Sequence, residues 1–537
     1  MKKWVPLIFL SAAQFLMVLD QAVMNVAISQ LVEDFDTTVT TIQAVIAFYA
    51  LVMASLMLVG GKIGDIIGRR RAFGVGLVIY AAGSATTALS GSVAVLALGW
   101  SVLEGIGAAL VLPAMIALVA GTYSGKERAL AYGILGGVAG AGIAVGPILG
   151  GWATTEASWR LVFVGEVLVA LGILAGMRTI REPKRESGVK LDWVGGALSA
   201  AGLALTVFGV LRASTWGWLK PLDSPVEPFG FSLTPFVIVA GLLVLAGFVA
   251  WERRRERRGE QPLVHLGLLR IPTLRAGVVM LLAQNLILMG IFFTVPLYLQ
   301  VVQGLDALET GVHMLPASAG LLFAALAGSV LSRRFSARLI VRVGLAVIFV
   351  AIFLMLGTID IELDSTSFMF AMGVLGVGMG LFISQLGNTV QSSVGDSDRS
   401  EAGGLQNTAM QLGSSLGTAL LGAVVITGLL AAFSTSVAED PDIPDPVKER
   451  VEVSLSSGGS FVASDQVREG AEKAGISEST TDVLIDDYEQ SQLQALKTAL
   501  LFAAFLTLLS YPATRNLPGY PLGRPEAGPD GEAAAST

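Results

Sequence analysis

The chain has 537 residues, 53% hydrophobic and only 14% charged, with a formal net charge of −7 and a mean hydropathy of +0.70. That composition excludes an ordinary soluble domain, and its long uninterrupted apolar runs exclude a β-barrel, whose strands would alternate. Cysteine is absent, which removes disulfides, thiolate metal sites and cysteine nucleophiles; two histidines, His265 and His313, leave little room for an imidazole metal site.

About twenty apolar residues cross a bilayer, and on that rule the chain reads as an all-α membrane protein with fourteen spans. Their expected limits are 7–28, 43–61, 72–90, 94–118, 129–153 and 159–178; then 192–212 and 231–251; then 275–298, 311–331, 343–359, 367–390, 403–431 and 494–513. The opening Met-Lys-Lys and first apolar run carry Asp20, Gln21 and Asn25 and no cleavage site, so an uncleaved first span is expected rather than a signal peptide. Alternate span ends hold Lys2 and Lys3, Arg69 to Arg71, Lys126 and Arg128, Arg178, Arg181, Lys184 and Arg185, and Arg253 to Arg258. The same set continues with Arg333, Arg334, Arg338, Arg342, Arg399 and Arg515. The opposite ends hold Asp306, Glu309, Asp360, Glu362 and Asp364. Basic loops stay on the cytoplasmic side, so both termini are expected there, in the cytoplasmic (inner or plasma) membrane.

The spans group as six, two and six. The expected divisions are a bundle at 1–180, a linking pair at 181–260, and five further helices at 261–433. An acidic extracytoplasmic loop at 434–493, a last span at 494–514 and a disordered tail at 515–537 complete the chain. The acidic stretch has fourteen acids against four bases and three candidate short helices near 447–456, 465–474 and 481–495. A solvated loop and a cation-attracting lid or vestibule both fit it.

Between the second and third spans lies Gly61-Gly-Lys-Ile-Gly-Asp-Ile-Ile-Gly-Arg-Arg-Arg71, a tight turn at a membrane surface. Gly61, Gly64 and Gly68 let two helix ends approach, and Gly68 can take backbone angles that other residues avoid. Asp65 stands within reach of Arg69 and Arg70. In the second half, Phe335-Ser-Ala-Arg-Leu-Ile-Val-Arg-Val-Gly344 is a degenerate echo of Ile67-Gly-Arg-Arg-Arg-Ala-Phe-Gly-Val-Gly76.

Ionisable residues inside spans are costly and therefore informative. Asp20, Glu104 and Glu166 lie eight to ten residues from the outer ends of the first, fourth and sixth spans. At 1.5 Å per residue that is roughly 12–15 Å deep, near the midplane. Three carboxyls at one depth suggest a shared cavity for protons, cations, or each in turn; structural partnering of each acid is the competing reading. Gly142, Gly146 and Gly150 are spaced four apart, a smooth face for close helix packing, with Pro147 allowing a bend and Gly151 adjoining.

The 61–71 turn resembles the signature loop of the major facilitator superfamily of secondary transporters. The extra pair of spans is similar to that of its fourteen-span drug:proton antiporters. Leu19-Asp20 through Asn25 resembles their first-span motif, and Gly142 to Gly151 resembles their antiporter motif, held to limit leak. Ser101-Val-Leu-Glu104-Gly-Ile-Gly107 resembles the fourth-span motif but has Ser101 where the family has a base used in proton handling, and Glu104 where it has Gln. Ser158-Trp-Arg160 and Phe163 fit the sixth-span pattern, with Glu166 in place of an expected Asn. The resemblance implies alternating access, with Asp20, Asn25, Glu104 and Glu166 coupling protons to substrate and Gly61, Asp65, Gly68, Arg69 and Arg70 gating the cytoplasmic face.

Amides in the second half (Gln284, Asn285, Gln385, Asn388, Gln406, Asn407 and Gln411) fit interhelical bonds or substrate contacts. Met17, Met24, Met280, Met289, Phe292 and Phe293 fit a lipophilic pocket, core packing or a lipid-facing surface. Gly376-Val-Gly378-Met-Gly380 has no preceding strand, so it is no nucleotide loop, and no phosphate loop for ATP occurs. The expectation is a transporter and not an enzyme, without cofactor or metal. It would exchange protons for hydrophobic, cationic drug-like compounds within the lipid bilayer, with no nucleic-acid partner. Export or flipping of an endogenous lipid or metabolite, and a non-transporting sensor using the acidic loop, are the alternatives.

Overall fold

The computed structural model describes residues 3–123, 125–182, 191–222, 224–395, 398–456 and 461–521. Part of the expected linker (183–190, with Lys184 and Arg185) and most of the expected disordered tail (522–537) lie outside them. Among the described residues every regular element is a helix, as a bilayer demands of a chain that must satisfy its own backbone groups.

The first six long helices are α1 (Val5–Val26), α2 (Val39–Ile67), α3 (Arg69–Ala88), α4 (Val93–Thr122), α5 (Gly125–Glu156) and α6 (Arg160–Gly176). Two more, α7 (Trp193–Trp216) and α8 (Thr234–Arg257), precede α9 (Pro272–Val302), α10 (Ala307–Leu331), α11 (Ala337–Leu356), α12 (Ser365–Ser392) and α13 (Arg399–Glu439). Then come the short α14 (Asp445–Ser456) and α15 (Ser464–Lys473), and the long α16 (Glu478–Ser510). Each expected span falls on one of these. Thirteen helices among the described residues are long and apolar enough to cross a membrane. The remaining expected span is α3, twenty residues long, whose opening arginines and small residues make it less apolar.

Helices α1, α3, α4, α5 and α6 pack among themselves with α2, and α9 to α13 pack among themselves with α16. Two seams join the groups. In one, α5 lies along α10, where Ser318 Oγ donates to the Ile143 carbonyl at 3.2 Å and the Leu308 amide donates to Thr155 Oγ1 at 3.2 Å. In the other, α2 lies along α13, where Ser415 Oγ donates to the Ala47 carbonyl at 2.7 Å and Gln43 Nε2 to the Thr418 carbonyl at 2.9 Å. The added pair α7 and α8 packs on itself and, through α7, onto α2 and α13. Asp192 caps α7 by accepting from the Gly195 amide and also accepts from Trp251 Nε1 at 3.0 Å on α8. Buried Glu252 accepts from the amides of Leu263 and Val264, tying α8 to the chain that follows it.

The two longest helices outgrow a bilayer. At 41 residues α13 is ~62 Å long, about twice the hydrocarbon thickness, and α16 starts well before its expected limit of 494. Their extensions enclose a small apolar core, in which Phe433 meets Tyr488 edge-on at 5.2 Å and Phe461 is fully buried. Tyr488 OH accepts from the Val462 amide at 3.0 Å, and Gln492 Nε2 donates to the Val462 carbonyl at 2.7 Å. The acidic stretch is thus a folded cap built on two rigid struts.

The same end of the molecule carries a clamp. Asp34, ending the helical turn Ile28–Asp34 after α1, accepts from Trp159 Nε1 and Arg160 Nη1, each at 2.8 Å. Arg160 Nη2 also donates to the Ser90 carbonyl beyond α3. Partial burial works against Asp34's ionisation, but hydrogen bonds from Trp159, Gln30 and Arg160 and the Arg160 charge outweigh it, holding the carboxyl below its usual range. A depressed folded-state pKa adds stability above the unfolded value, roughly 4, that is lost as pH falls through the folded one. We expect Asp34→Asn to lower the melting midpoint at neutral pH and to flatten its fall below about pH 4; an unchanged acid limb would show the clamp carries no charge-dependent stability.

Candidate functional site

Asp20, Glu104 and Glu166 meet. One carboxylate oxygen from each lies within 4.8 Å of the others, and all three residues are buried. Helix α1 supplies Asp20, α6 supplies Glu166, and α4 supplies Glu104 from a wide, π-type turn at Ala97–Glu104. Such turns recur at functional sites because they shift which residues face inward. Here the shift points Trp100, Ser101 and Glu104 into the protein together. The turn needs room, and two glycines make it. A Cβ on Gly83 would stand 2.6 Å from Glu104 Cγ, and one on Gly99 would stand 2.7 Å from the Thr87 amide nitrogen.

Each carboxyl is held on one side and unpartnered on the other. Trp100 Nε1 donates to Asp20 Oδ1 at 2.7 Å, and Thr87 Oγ1 donates to Glu104 Oε1 at 3.1 Å. Tyr80 OH and Ser84 Oγ both donate to Glu166 Oε2 at 3.2 Å. Asp20 Oδ2, Glu104 Oε2 and Glu166 Oε1 are buried without a hydrogen-bond partner, as is the hydroxyl of Tyr49, whose ring stacks on Trp100 at 4.4 Å. Among the described residues no base pairs with any of the three acids. At about 5 Å, two ionised carboxylates repel by roughly 3–4 kcal/mol even at an effective dielectric of 20. Full negative charge in the cluster is therefore costly unless a cation or protons neutralise it. Among the described residues it is the one group of acidic or imidazole side chains close enough together to hold a metal ion; its all-oxygen donors suit a hard cation.

Four partners of the cluster escape a reading of charges alone. Tyr80, Ser84 and Thr87 recur at helical spacing on α3, a polar stripe in an apolar span, and that stripe together with Trp100 was the available signal. Ser101 occupies the place of the expected base and donates to the Val45 carbonyl at 2.8 Å. Asn25, expected beside Asp20, instead donates to the Gln21 carbonyl of its own helix at 2.7 Å; five residues along a helix turn it away from Asp20's side.

At the basic end, Gly68 has φ 103° and joins α2 to α3. Asp65 pairs with Arg69. Arg70, expected in the same pair, turns instead to the Ile180 carbonyl at 3.2 Å and to Glu182, because it points along α3 toward the end of α6. The close approach expected at Gly61 occurs one residue earlier: a Cβ on Gly60 would stand 2.2 Å from the Ala109 carbonyl oxygen, whereas Gly61 has ordinary clearance. The echo in the second half behaves alike. Ser336 caps α11, and Arg338 Nε and Nη2 donate to the Leu517 carbonyl beyond α16 at 3.0 and 2.8 Å.

Gly142, Gly146 and Gly150 press α5 onto Val18, Ala22 and Val23 of α1, with a hypothetical Cβ on Gly146 only 2.3 Å from that of Ala22. Gly151 meets the Ala307 carbonyl, and the Pro147 carbonyl meets Gly311, so the same stretch also forms the α5–α10 seam. Of the second-half amides, Gln385 donates to the Gly328 carbonyl between helices, whereas Asn285 donates to the Leu281 carbonyl of its own helix and accepts from Ser414 Oγ of α13 at 3.5 Å. Gln284 Oε1 and Asn407 Nδ2 are buried without partners. Met17, Met24, Met280, Phe292 and Phe293 are buried in the main core, so these five are not lipid-facing, and Met289 is half-buried against that core. His313 is satisfied by the Glu309 carbonyl and Ser365.

Residues 10–418 match the family described as Major Facilitator Superfamily. The tetracenomycin C resistance and export protein of Streptomyces glaucescens is 30% identical over 82% of this chain and 79% of its own length. The multidrug efflux pump LfrA of Mycolicibacterium smegmatis is 28% identical over 86% and 88%. Among solved structures, a bacterial homologue of the human lysosomal transporter Spinster, inward-facing and unoccupied, superposes with TM-score 0.59 at 15% identity, covering 96% of this chain and 98% of that one. The D-xylose-proton symporter gives 0.57 at 12% identity, covering 85% and 96%. These two share the fold.

If glycine packing seats Glu104, Gly83→Ala will lower the melting midpoint, because its Cβ would meet backbone atoms of α4 that cannot swing away. Overpacking of this kind costs about 1–3 kcal/mol. Gly91→Ala, with nothing within 4 Å of the added atom, is the control; equal midpoints for the two variants would overturn the account.

Proposed function

The chain belongs to the major facilitator superfamily, and we propose that it exports hydrophobic, cationic drug-like compounds across the cytoplasmic membrane in exchange for protons. The observation that carries the reading is the buried, unpartnered carboxyl trio of Asp20, Glu104 and Glu166. A buried cluster without a basic partner has two ways to be neutral: it binds protons, or it binds an organic cation. The two occupants exclude one another on electrostatic grounds, and that exclusion is what an exchanger requires. Drug export and resistance in the names of the relatives support the substrate class.

In this reading the six helices α1 to α6 and the six helices α9 to α13 with α16 rock about the α5–α10 and α2–α13 seams, with α7 and α8 as an added pair. The arginine-bearing end faces the cytoplasm, which puts both termini there. Protons reach the trio when it opens to the outside; opening to the inside lets a lipophilic cation displace them. The Asp65–Arg69 pair and the Arg70 contact to the end of α6 latch the cytoplasmic side. The glycine face of α5 against α1 keeps Asp20 in register and leaves no path for unaccompanied protons. Asp20 is the primary coupling group, with Glu104 and Glu166 sharing its charge; Asn25 supports the helix rather than the ion.

Reconstituted vesicles with an imposed proton gradient test this by efflux of ethidium. Asp20→Asn, Glu104→Gln and Glu166→Gln are each expected to slow gradient-driven efflux at least about tenfold, a barrier change of ~1.4 kcal/mol, with Asp20→Asn the most severe. Wild-type rates in all three variants would remove the coupling role. Movement of labelled phospholipid without movement of ethidium would remove the drug reading.

A further inference from the structure

A cavity of about 770 Å³ opens where the added helix α7 lies against α2 and α13. It is graded along its length. Thr38 and Thr41 at the start of α2, with Arg212 and Thr215 near the end of α7, line one end. Phe48, Leu51 and Leu205 line the other, about ten residues further along each antiparallel helix and so ~15 Å deeper. The polar end is at the level of the acidic face, and the apolar end reaches toward the midplane. This gradient matches an amphiphile standing upright in one leaflet.

The polar end presents an exposed base and, behind it, a buried amide. Arg212 is exposed and forms no ion pair with a described acid; its guanidinium lies over Phe208 and Trp216 at 5.3 and 5.6 Å, which fixes its place without neutralising it. Gln43, 2% exposed, stands in the inner wall of the cavity; its amide donates to the Thr418 carbonyl and packs on Gly422 of α13, which seals its Oε1 from the cavity. Gln43 and Arg212 each stand four positions from the acidic-face ends of their helices, Val39 and Trp216, and so at one depth. A base at the polar end of such a cavity asks for an anion.

We propose that this cavity binds an anionic phospholipid. Its phosphate sits on Arg212 and the threonine hydroxyls, and one acyl chain runs down Phe48, Leu51 and Leu205. The lipid fills the gap between α7 and the α2–α13 seam, so it cements the added helix pair to the helices that must move. This assignment is independent of which substrate the protein exports.

The test uses the purified full-length chain in detergent, with lipid binding read as a shift in melting midpoint during titration. Dioleoyl phosphatidylglycerol is expected to raise the wild-type midpoint, dioleoyl phosphatidylcholine to raise it less, and glycerol 3-phosphate to leave it unmoved. Arg212→Gln should weaken phosphatidylglycerol about tenfold, ~1.4 kcal/mol. Leu205→Trp, which fills the tail end, should weaken it comparably while leaving the charge intact, and it keeps the test alive should Arg212→Gln fold poorly. Arg254→Gln, on the opposite face, should bind as wild type. Undiminished phosphatidylglycerol binding in both Arg212→Gln and Leu205→Trp would overturn the site. Equal effects of glycerol 3-phosphate, which would mark a simple anion site, or of phosphatidylcholine would also overturn it. Equal loss in Arg254→Gln, which would mark a diffuse surface-charge effect, would do the same.

Discussion

Buried negative charge with no fixed counter-charge among the described residues is the condition around which this molecule is built. Three acids from α1, α4 and α6 share a few ångströms, and the seat that a base would occupy holds Ser101, bonded to the backbone of α2. A fixed arginine would satisfy the acids permanently and make the cluster structural. Its absence leaves their charge state dependent on mobile occupants, so the site's chemistry is conditional on what enters it.

Keeping such a cluster together takes close packing, since the acids give nothing back until they are neutralised. Gly83 and Gly99 bring α3 and α4 into backbone contact, and the wide turn of α4 exists at that contact. Gly146 and its neighbours on α5 bring α1 close from another side. The hydroxyls of Tyr80, Ser84 and Thr87 then reach the acids because α3 is near enough to deliver them. Helix proximity set by small residues and polar contacts set by that proximity are one arrangement, and a bulkier residue at either layer disturbs both.

The halves of the protein repeat the same device at the basic end. Arg70 and Arg338, aligned by the echo of the opening motif, each donate to a backbone carbonyl just past the last helix of their own half, Ile180 and Leu517. Gly76 and Gly344, aligned by the same echo, each sit against a glycine carbonyl of a neighbouring helix, Gly107 and Gly378. Ser336 caps by side chain where Gly68 turns by positive φ. What persists between the halves is the carbonyl contact and the tight crossing; the acid–base pair of Asp65 and Arg69 belongs to the first half, and so does the carboxyl trio.

Hydrophobic run length alone determined the helices, because a backbone in hydrocarbon must close its own hydrogen bonds within each segment. Charge in the short connections set the two faces, and the cost of burying Asp20, Glu104 and Glu166 singled them out before any coordinates. Only the tertiary structure decided what those acids touch. Helix rotation, the wide turn at 97–104 and the crossing points set by Gly60 and Gly83 determine that Asn25 faces away, that Arg70 leaves Asp65, and that Tyr80 and Trp100 join the site. The same holds for the cap: acidic composition left a solvated loop and a lid both open, whereas the burial of Phe461, between the short helices, and of Tyr488 depends on α13 and α16 running side by side there. Local energetics fix what a segment is; which side chains meet depends on contacts between residues far apart in the chain, and no single stretch encodes those.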